Sequence, residues 1–284
     1  MKSTPFGGKD SNWKDYKSSK IVVFPVPYDG SSTWQKGANF GPDAILEASS
    51  HVELYDIETD SEVHLHGINT FCLPSFPKSP EKLAQLVRYN FSSFIKDNKF
   101  PVMLGGNHSI TPGAVKAAKD HFSNLAVLQL DAHGDLRESY QGSPFNHACI
   151  MARVKEICPA VQVGIRSLDK TELKKLDLSK VFFAGDIICQ DDWIEKVVKL
   201  LPPHVYVTID MDVFDPSIIP STGTPEPGGL NWYQITGLLR KVAEERQVVG
   251  FDIVELMPNK YNKAPDFIAA KLVYKFLSYI FKDK

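Results

Sequence analysis

The chain is poor in cysteine and carries no excess of charge of either sign. Its four cysteines, Cys72, Cys149, Cys158 and Cys189, form no CxxC pair, and a chain of 284 residues needs no bridge to hold a core. Free, mostly buried thiols of a reducing compartment are the expectation. Lys and Arg number 32 against 34 Asp and Glu, a net charge of -2 with no basic stripe, so nothing recommends nucleic acid as a partner. No run reaches the roughly 18 apolar residues that a membrane helix needs. The nearest, Phe267 to Phe281, is interrupted by Lys271 and Lys275 and has the periodicity of an amphipathic helix. Met1 to Gly8 lacks the apolar centre of a signal peptide, so a cytoplasmic protein is expected. No Pro-, Gly- or Ser-rich linker divides the sequence. One domain over 1–284 is therefore expected, with a polar arm over residues 1–20.

What is present is a regular alternation. Strand-like apolar runs fall at 21–26, 100–104, 125–130, 160–165, 181–184, 205–209 and 248–253. Helical patterns fall at 42–50, 81–96, 112–121, 148–155, 170–176, 193–201 and 232–245. Alternation of this kind predicts a three-layer α/β/α fold around a mostly parallel sheet. Ligand sites in such folds lie beyond the carboxyl ends of the strands.

Four strand ends carry unusual residues. One gives Gly105-Gly106-Asn107-His108-Ser109. The next gives Asp131-Ala132-His133-Gly134-Asp135, three ligand-type side chains at alternate positions. A third runs into Asp210-Met211-Asp212, and the last ends in Glu255. Each alone reads as ordinary capping or turn chemistry. Together they crowd carboxylates that repel one another and need compensating positive charge. A pair of divalent cations supplies it. His108, Asp131, His133, Asp135, Asp210 and Asp212 provide six ligands, enough for two ions with open positions for water if two aspartates bridge. Ions so paired lie roughly 3.5–4 Å apart and lower the pKa of a shared water. Oxygen and imidazole donors without cysteine point to Mn²⁺ over a thiolate zinc site.

These motifs, with Thr208 to Pro216, Pro220 to Leu230 and Gly41-Pro42, resemble the ureohydrolases, the arginase and agmatinase family, in order and spacing over nearly the whole chain. The resemblance implies two Mn²⁺ ions bridged by Asp131 and Asp210. One ion would also take His108 and Asp135, the other His133 and Asp212. It further implies a bridging hydroxide that attacks a guanidinium carbon and releases urea. Glu255 would pair with the cationic guanidinium. His147 would shuttle protons to the leaving amine, a task that suits a group titrating near neutrality. Asp135 would orient the hydroxide. Thr224 lies where the family places a threonine near substrate, although a turn hydroxyl in a Gly/Pro-rich loop explains it equally well. The resemblance also implies homo-oligomers, trimers or hexamers.

The substrate tail stays open at this point. Family arginases contact the α-carboxylate through an asparagine two residues before the shuttle histidine, and here that position is Phe145. The segment from Asp135 to Gly142 resembles the agmatinase branch, which favours agmatine, giving putrescine and urea. Arg137, however, would suit a carboxylate, as in arginine or guanidinobutyrate. Gly134 departs from the threonine common in the branch. Formimidoylglutamase is a further alternative. Metallophosphoesterases also use Asp-x-His and Gly-Asn-His, but in the reverse order and with a later histidine pair that this chain lacks. A relic metal-binding scaffold is a remote alternative, since every ligand, Glu255 and His147 are present. Arg166 and Asp252 are expected to be structural, through salt bridges. Asp215-Pro216 is expected to shape its loop.

Overall fold

The computed structural model describes residues 4–8 and 15–282. Its strands are β1 (Ile21–Val26), β2 (Ile68–Thr70), β3 (Phe100–Gly105), β4 (Leu125–Leu130), β5 (Ala160–Ile165), β6 (Val181–Phe183), β7 (His204–Asp210) and β8 (Gln247–Val254). Its α-helices are α1 (Gly41–Ser49), α2 (Pro80–Lys96), α3 (Thr111–His121), α4 (Ile150–Lys155), α5 (Ala184–Ile187), α6 (Trp193–Leu200), α7 (Trp232–Glu245) and α8 (Ala264–Phe281). The strands form one parallel sheet in the order β2-β1-β3-β8-β7-β4-β5-β6.

The strands between the two edges are buried almost throughout, as in a parallel sheet covered by helices, while the edge strands β2 and β6 are partly buried. Alternate side chains enter different cores. Val23, Leu104, Leu130, Val207 and Ile253 face α1, α6, α7 and α8. Val22, Met103, Val127 and Tyr206 face α2, α3 and α4. The result is the three-layer α/β/α architecture that the alternating pattern predicts.

Some local expectations are corrected. The helix expected at 170–176 is only a 3₁₀ turn at Glu172–Lys174. The expected amphipathic helix near the end of the sequence is buried along most of its length, from Ala269 to Ile280 save Lys271. Lys275, on that helix, is itself buried and pairs with Asp56 at 3.0 Å and Glu58 at 2.6 Å. Among the described residues no helix is long and apolar enough to cross a membrane. Part of the expected arm, residues 1–3 and 9–14, lies outside the described residues. Its described piece at 4–8 is tied to the body: Phe6 is buried, its N–H donates to Thr70 Oγ1 at 2.8 Å, and the Gly7 N–H donates to Ser49 Oγ at 2.9 Å.

Sheet order positions the site. The four adjacent central strands β3, β8, β7 and β4 are those whose carboxyl ends carry the candidate residues. Their register aligns these ends: Leu130 lies beside Ile209, and Asp210 beside Val254. Asp131, Asp210 and Glu255 therefore emerge at one level of one sheet edge.

Candidate active site

At that edge His108 Nδ1 lies 3.2 Å from Asp131 Oδ2, 3.4 Å from Asp135 Oδ2 and 3.4 Å from Asp210 Oδ2. His133 Nδ1 lies 2.8 Å from Asp212 Oδ2 and 3.7 Å from Asp131 Oδ1. Two groups with metal-ligand spacing result, His108–Asp131–Asp135 and Asp131–His133–Asp212, and they share Asp131 through its two oxygens. Asp210 abuts the first group. All six candidate ligand side chains thus converge.

Hydrogen bonds aim them. Thr208 Oγ1 donates its one hydrogen to Asp252 Oδ1 at 2.6 Å, so at 2.8 Å from His108 Nε2 it is the acceptor. Nε2 therefore carries hydrogen, and Nδ1 faces three carboxylates, where it would offer its lone pair to a cation once no proton is held there. Nδ1 is buried and makes no hydrogen bond. A divalent cation fits that position, where hard oxygen donors and an imidazole nitrogen converge. The electrostatics agree. Burial works against charge on His108, yet Asp131, Asp135 and Asp210 raise its pKa well above the ordinary value. Burial, reinforced by Asp131, pushes Asp135 up to about 7. Burial and the neighbouring carboxylates, led by Asp212, raise Asp210 well above its ordinary value. The cluster lacks positive charge, and two cations would supply it.

Buried amides and backbone complete the frame. Gln129 Nε2 donates to Asp131 Oδ2 at 2.7 Å, and Gln162 Nε2 donates to Gln129 Oε1 at 2.7 Å. The Ala132 N–H donates to Asp212 Oδ1 at 3.0 Å. Asp135 and Glu255 both hold left-handed backbone, φ 52° and 62°, sparsely populated for residues with a Cβ. Two expected salt bridges are corrected. Arg166 donates to carbonyls, among them Asp212 at 2.6 Å and Glu226 at 2.8 Å, and so clamps the loop behind Asp212. Among the described residues Asp252 has no salt-bridge partner. It accepts from Thr208, from Tyr206 OH at 2.7 Å and from Thr111 Oγ1 at 3.0 Å. Asp215 does shape its loop, accepting from Ser217 and from the N–H groups of Gly228 and Gly229.

A cavity of about 290 Å³ opens over the cluster, lined among others by Trp34, Arg137, His147, Asp169, Thr224 and Glu255. Glu255 Oε1 accepts the His108 N–H at 2.7 Å, and burial lifts its carboxyl to about 8. Burial pushes the His147 imidazole down to about 4, so at neutral pH the ring is uncharged, where the sequence suggested a group titrating near neutrality. Phe145 lies outside the lining, whereas Thr224 is within it, exposed at the rim. Arg137 lies 3.6 Å from Asp169 and stacks on the Tyr140 ring at 4.5 Å. A Cβ on Gly134 would lie 2.2 Å from Leu168 Cδ2, so Leu168 fills the space a threonine would take. Glu226, missed in the sequence, approaches His133 Nε2 at 3.7 Å and accepts from Ser167 Oγ at 2.9 Å.

A three-layer α/β fold with carboxylates and imidazoles gathered at its central strand ends, beneath a cavity holding another acid, defines a hydrolase of the metal-centred type. The arginase family model matches residues 19–278, and the chain belongs to that family. It is 38% identical to an N(1)-aminopropylagmatine ureohydrolase of Synechocystis sp., over 93% of this chain and 90% of the relative. It is 34% identical to an agmatinase of Pyrococcus horikoshii, over 92% of each. The solved agmatine ureohydrolase of Thermoplasma volcanium superposes with a TM-score of 0.89 at 32% identity, covering 99% of this chain and 96% of that one. The chain is an agmatinase-type ureohydrolase, and its fold is the one the sequence predicted.

Proposed function

We propose that this enzyme hydrolyses the guanidinium group of agmatine, giving putrescine and urea, with two Mn²⁺ ions per subunit. The observation that carries the reading is Glu255 poised beside two ligand groups that share Asp131. His108, Asp131, Asp135 and Asp210 would hold one ion, and Asp131, His133, Asp210 and Asp212 the other. Bound there, the pair supplies an activated water at neutral pH. Glu255 receives the guanidinium and orients its carbon over the cluster. As an anion it is stabilised by that permanent cation. His147 faces the departing nitrogen.

The surroundings favour a cationic tail. Asp169 and Glu172 line the cavity wall, and Arg137 is already engaged by Asp169 and Tyr140. An α-carboxylate would meet acids there. A longer cationic tail, as in the substrate named for the Synechocystis relative, is the second reading. It is favoured by the exposed Trp34 and Thr224 at the rim. A cytoplasmic homo-oligomer, trimer or hexamer, completes the proposal.

The test is urea release after Mn²⁺ loading from agmatine, N(1)-aminopropylagmatine, arginine, guanidinobutyrate, guanidinopropionate and formiminoglutamate. Turnover should favour the first two, and preference for a carboxylate-bearing compound overturns the tail assignment. Glu255→Gln should keep both ions and lose at least about a hundredfold in kcat/KM, the scale of one desolvated charge interaction. Near-normal turnover by that variant sinks the assignment of Glu255.

A further inference from the structure

Ser31, in the loop between β1 and α1, is buried where that loop meets the 3₁₀ turn of His147. Three groups converge on its Oγ. Asn107 Nδ2 donates to it at 2.7 Å. The His147 backbone N–H donates to it at 3.1 Å. His147 Nδ1 lies at 3.2 Å. The Asn107 amide is oriented at its other end, where Oδ1 accepts from Ser109 Oγ at 2.5 Å and Ser109 N at 3.3 Å. Its NH₂ therefore faces Ser31. A hydroxyl oxygen has two lone pairs and one hydrogen. The two N–H donors use both lone pairs. Among the described residues the hydrogen is left with His147 Nδ1, which then accepts it, while the ring also interacts with the Ser31 backbone. A neutral imidazole that accepts at Nδ1 carries its proton on Nε2.

We propose that Ser31 is a positioning residue that locks His147 as the Nε2–H tautomer, so that the ring offers the cavity a hydrogen-bond donor. The catalytic consequence rests on the ureohydrolase reading. The nitrogens of a guanidinium are donors only and cannot accept from Nε2–H. Once the central carbon turns tetrahedral, its nitrogens regain lone pairs, and Nε2–H hydrogen-bonds to the departing one, whose leaving proton comes from the attacking water. An interaction absent from the bound substrate and present after attack raises kcat and leaves binding unchanged.

The test has two arms. Side-chain ¹⁵N NMR of histidine-labelled protein, with Mg²⁺ and without metal, reads the tautomer directly; His147→Ala assigns the signals. The wild type should show His147 with a protonated Nε2 and an unprotonated Nδ1, and Ser31→Ala should lose that pattern. An Nδ1–H tautomer in the wild type, or an Nε2–H pattern that survives in Ser31→Ala, overturns the proposal. In the kinetic arm, Ser31→Ala should lose on the order of tenfold in kcat or more, as for one hydrogen bond, with KM nearly unchanged. Ser31→Thr, which keeps the hydroxyl, should recover most of it. A loss confined to KM, or no recovery in a folded Ser31→Thr, also overturns it. Failure of the ureohydrolase reading is distinguishable: no variant, wild type included, would release urea, while the NMR result would stand.

Discussion

Asp252 sits at the far end of a short chain of hydrogen bonds that begins at His108. Its carboxylate accepts three hydroxyl hydrogens, from Thr111, Tyr206 and Thr208, and only the last connects to the imidazole. Asp252→Asn places an amide where one of these hydroxyls donates. If the NH₂ faces Thr208, that hydroxyl must reverse and no longer accepts from His108 Nε2. Mn²⁺ affinity should then fall by about 10–100-fold, the usual cost of losing such an outer partner. Titration calorimetry would show it, and unchanged affinity would contradict the positioning role. The clustering of the six candidate ligands was legible because each motif packs several chemically distinctive residues into a few positions. Asp252, Thr208, Ser31 and Glu226 were not. Their roles depend on partners 44 to 141 residues away for Asp252 and 76 to 116 away for Ser31, and spacing along the chain says nothing of those.

At the scale of elements, the central strands were readable because burial on both faces makes them continuous apolar runs. β2 escaped notice: it is a three-residue edge strand, only partly buried, with nothing apolar after Ile68. The pattern at 170–176 misled because Leu173 and Leu176 suggest a helical face. In the fold Leu173 is exposed, and Glu172 turns inward to accept the Leu136 N–H at 2.7 Å. For α8, lysine looked like a marker of a solvent face. Lys275 instead neutralises Asp56, which is almost fully buried. Lys275→Ala would strand that carboxylate, so it should cost about 3–5 kcal/mol of stability, far above a surface substitution. Chemical denaturation measures it, and a loss under about 1 kcal/mol would show that water reaches Asp56.

For the whole molecule, the site is an electrostatic burden that bound cations would relieve, and the sign can be worked out. Without metal, Asp135 and Glu255 titrate near 7 and 8, while in the unfolded chain they release protons near about 4. Between those values the folded state holds protons the unfolded state has lost, so stability falls as pH rises through the window. His133 acts in the same direction. Burial opposes its charge, but Asp212 and Asp131 raise its pKa, and the stability it contributes is lost above about 6.5. His147 acts oppositely. Held near 4 by burial, it stays neutral where the unfolded ring charges, so stability is lost as pH falls from about 6.5 to about 4. Two carboxylates outweigh one imidazole even where His147 opposes them, so the Tm of the metal-free protein should fall as pH rises from about 5 to about 8.5. Excess Mn²⁺ should cancel the alkaline loss, because the ions replace the trapped protons. At a hundredfold excess over its Kd each ion adds about 2.7 kcal/mol, and the affinity rises with pH. Differential scanning calorimetry with and without Mn²⁺ across that range tests the linkage. A metal-free Tm that climbs steadily from pH 6 to 8.5 would mean that the carboxylates are already ionised without cations, and the argument for two cations from charge crowding would fail with it.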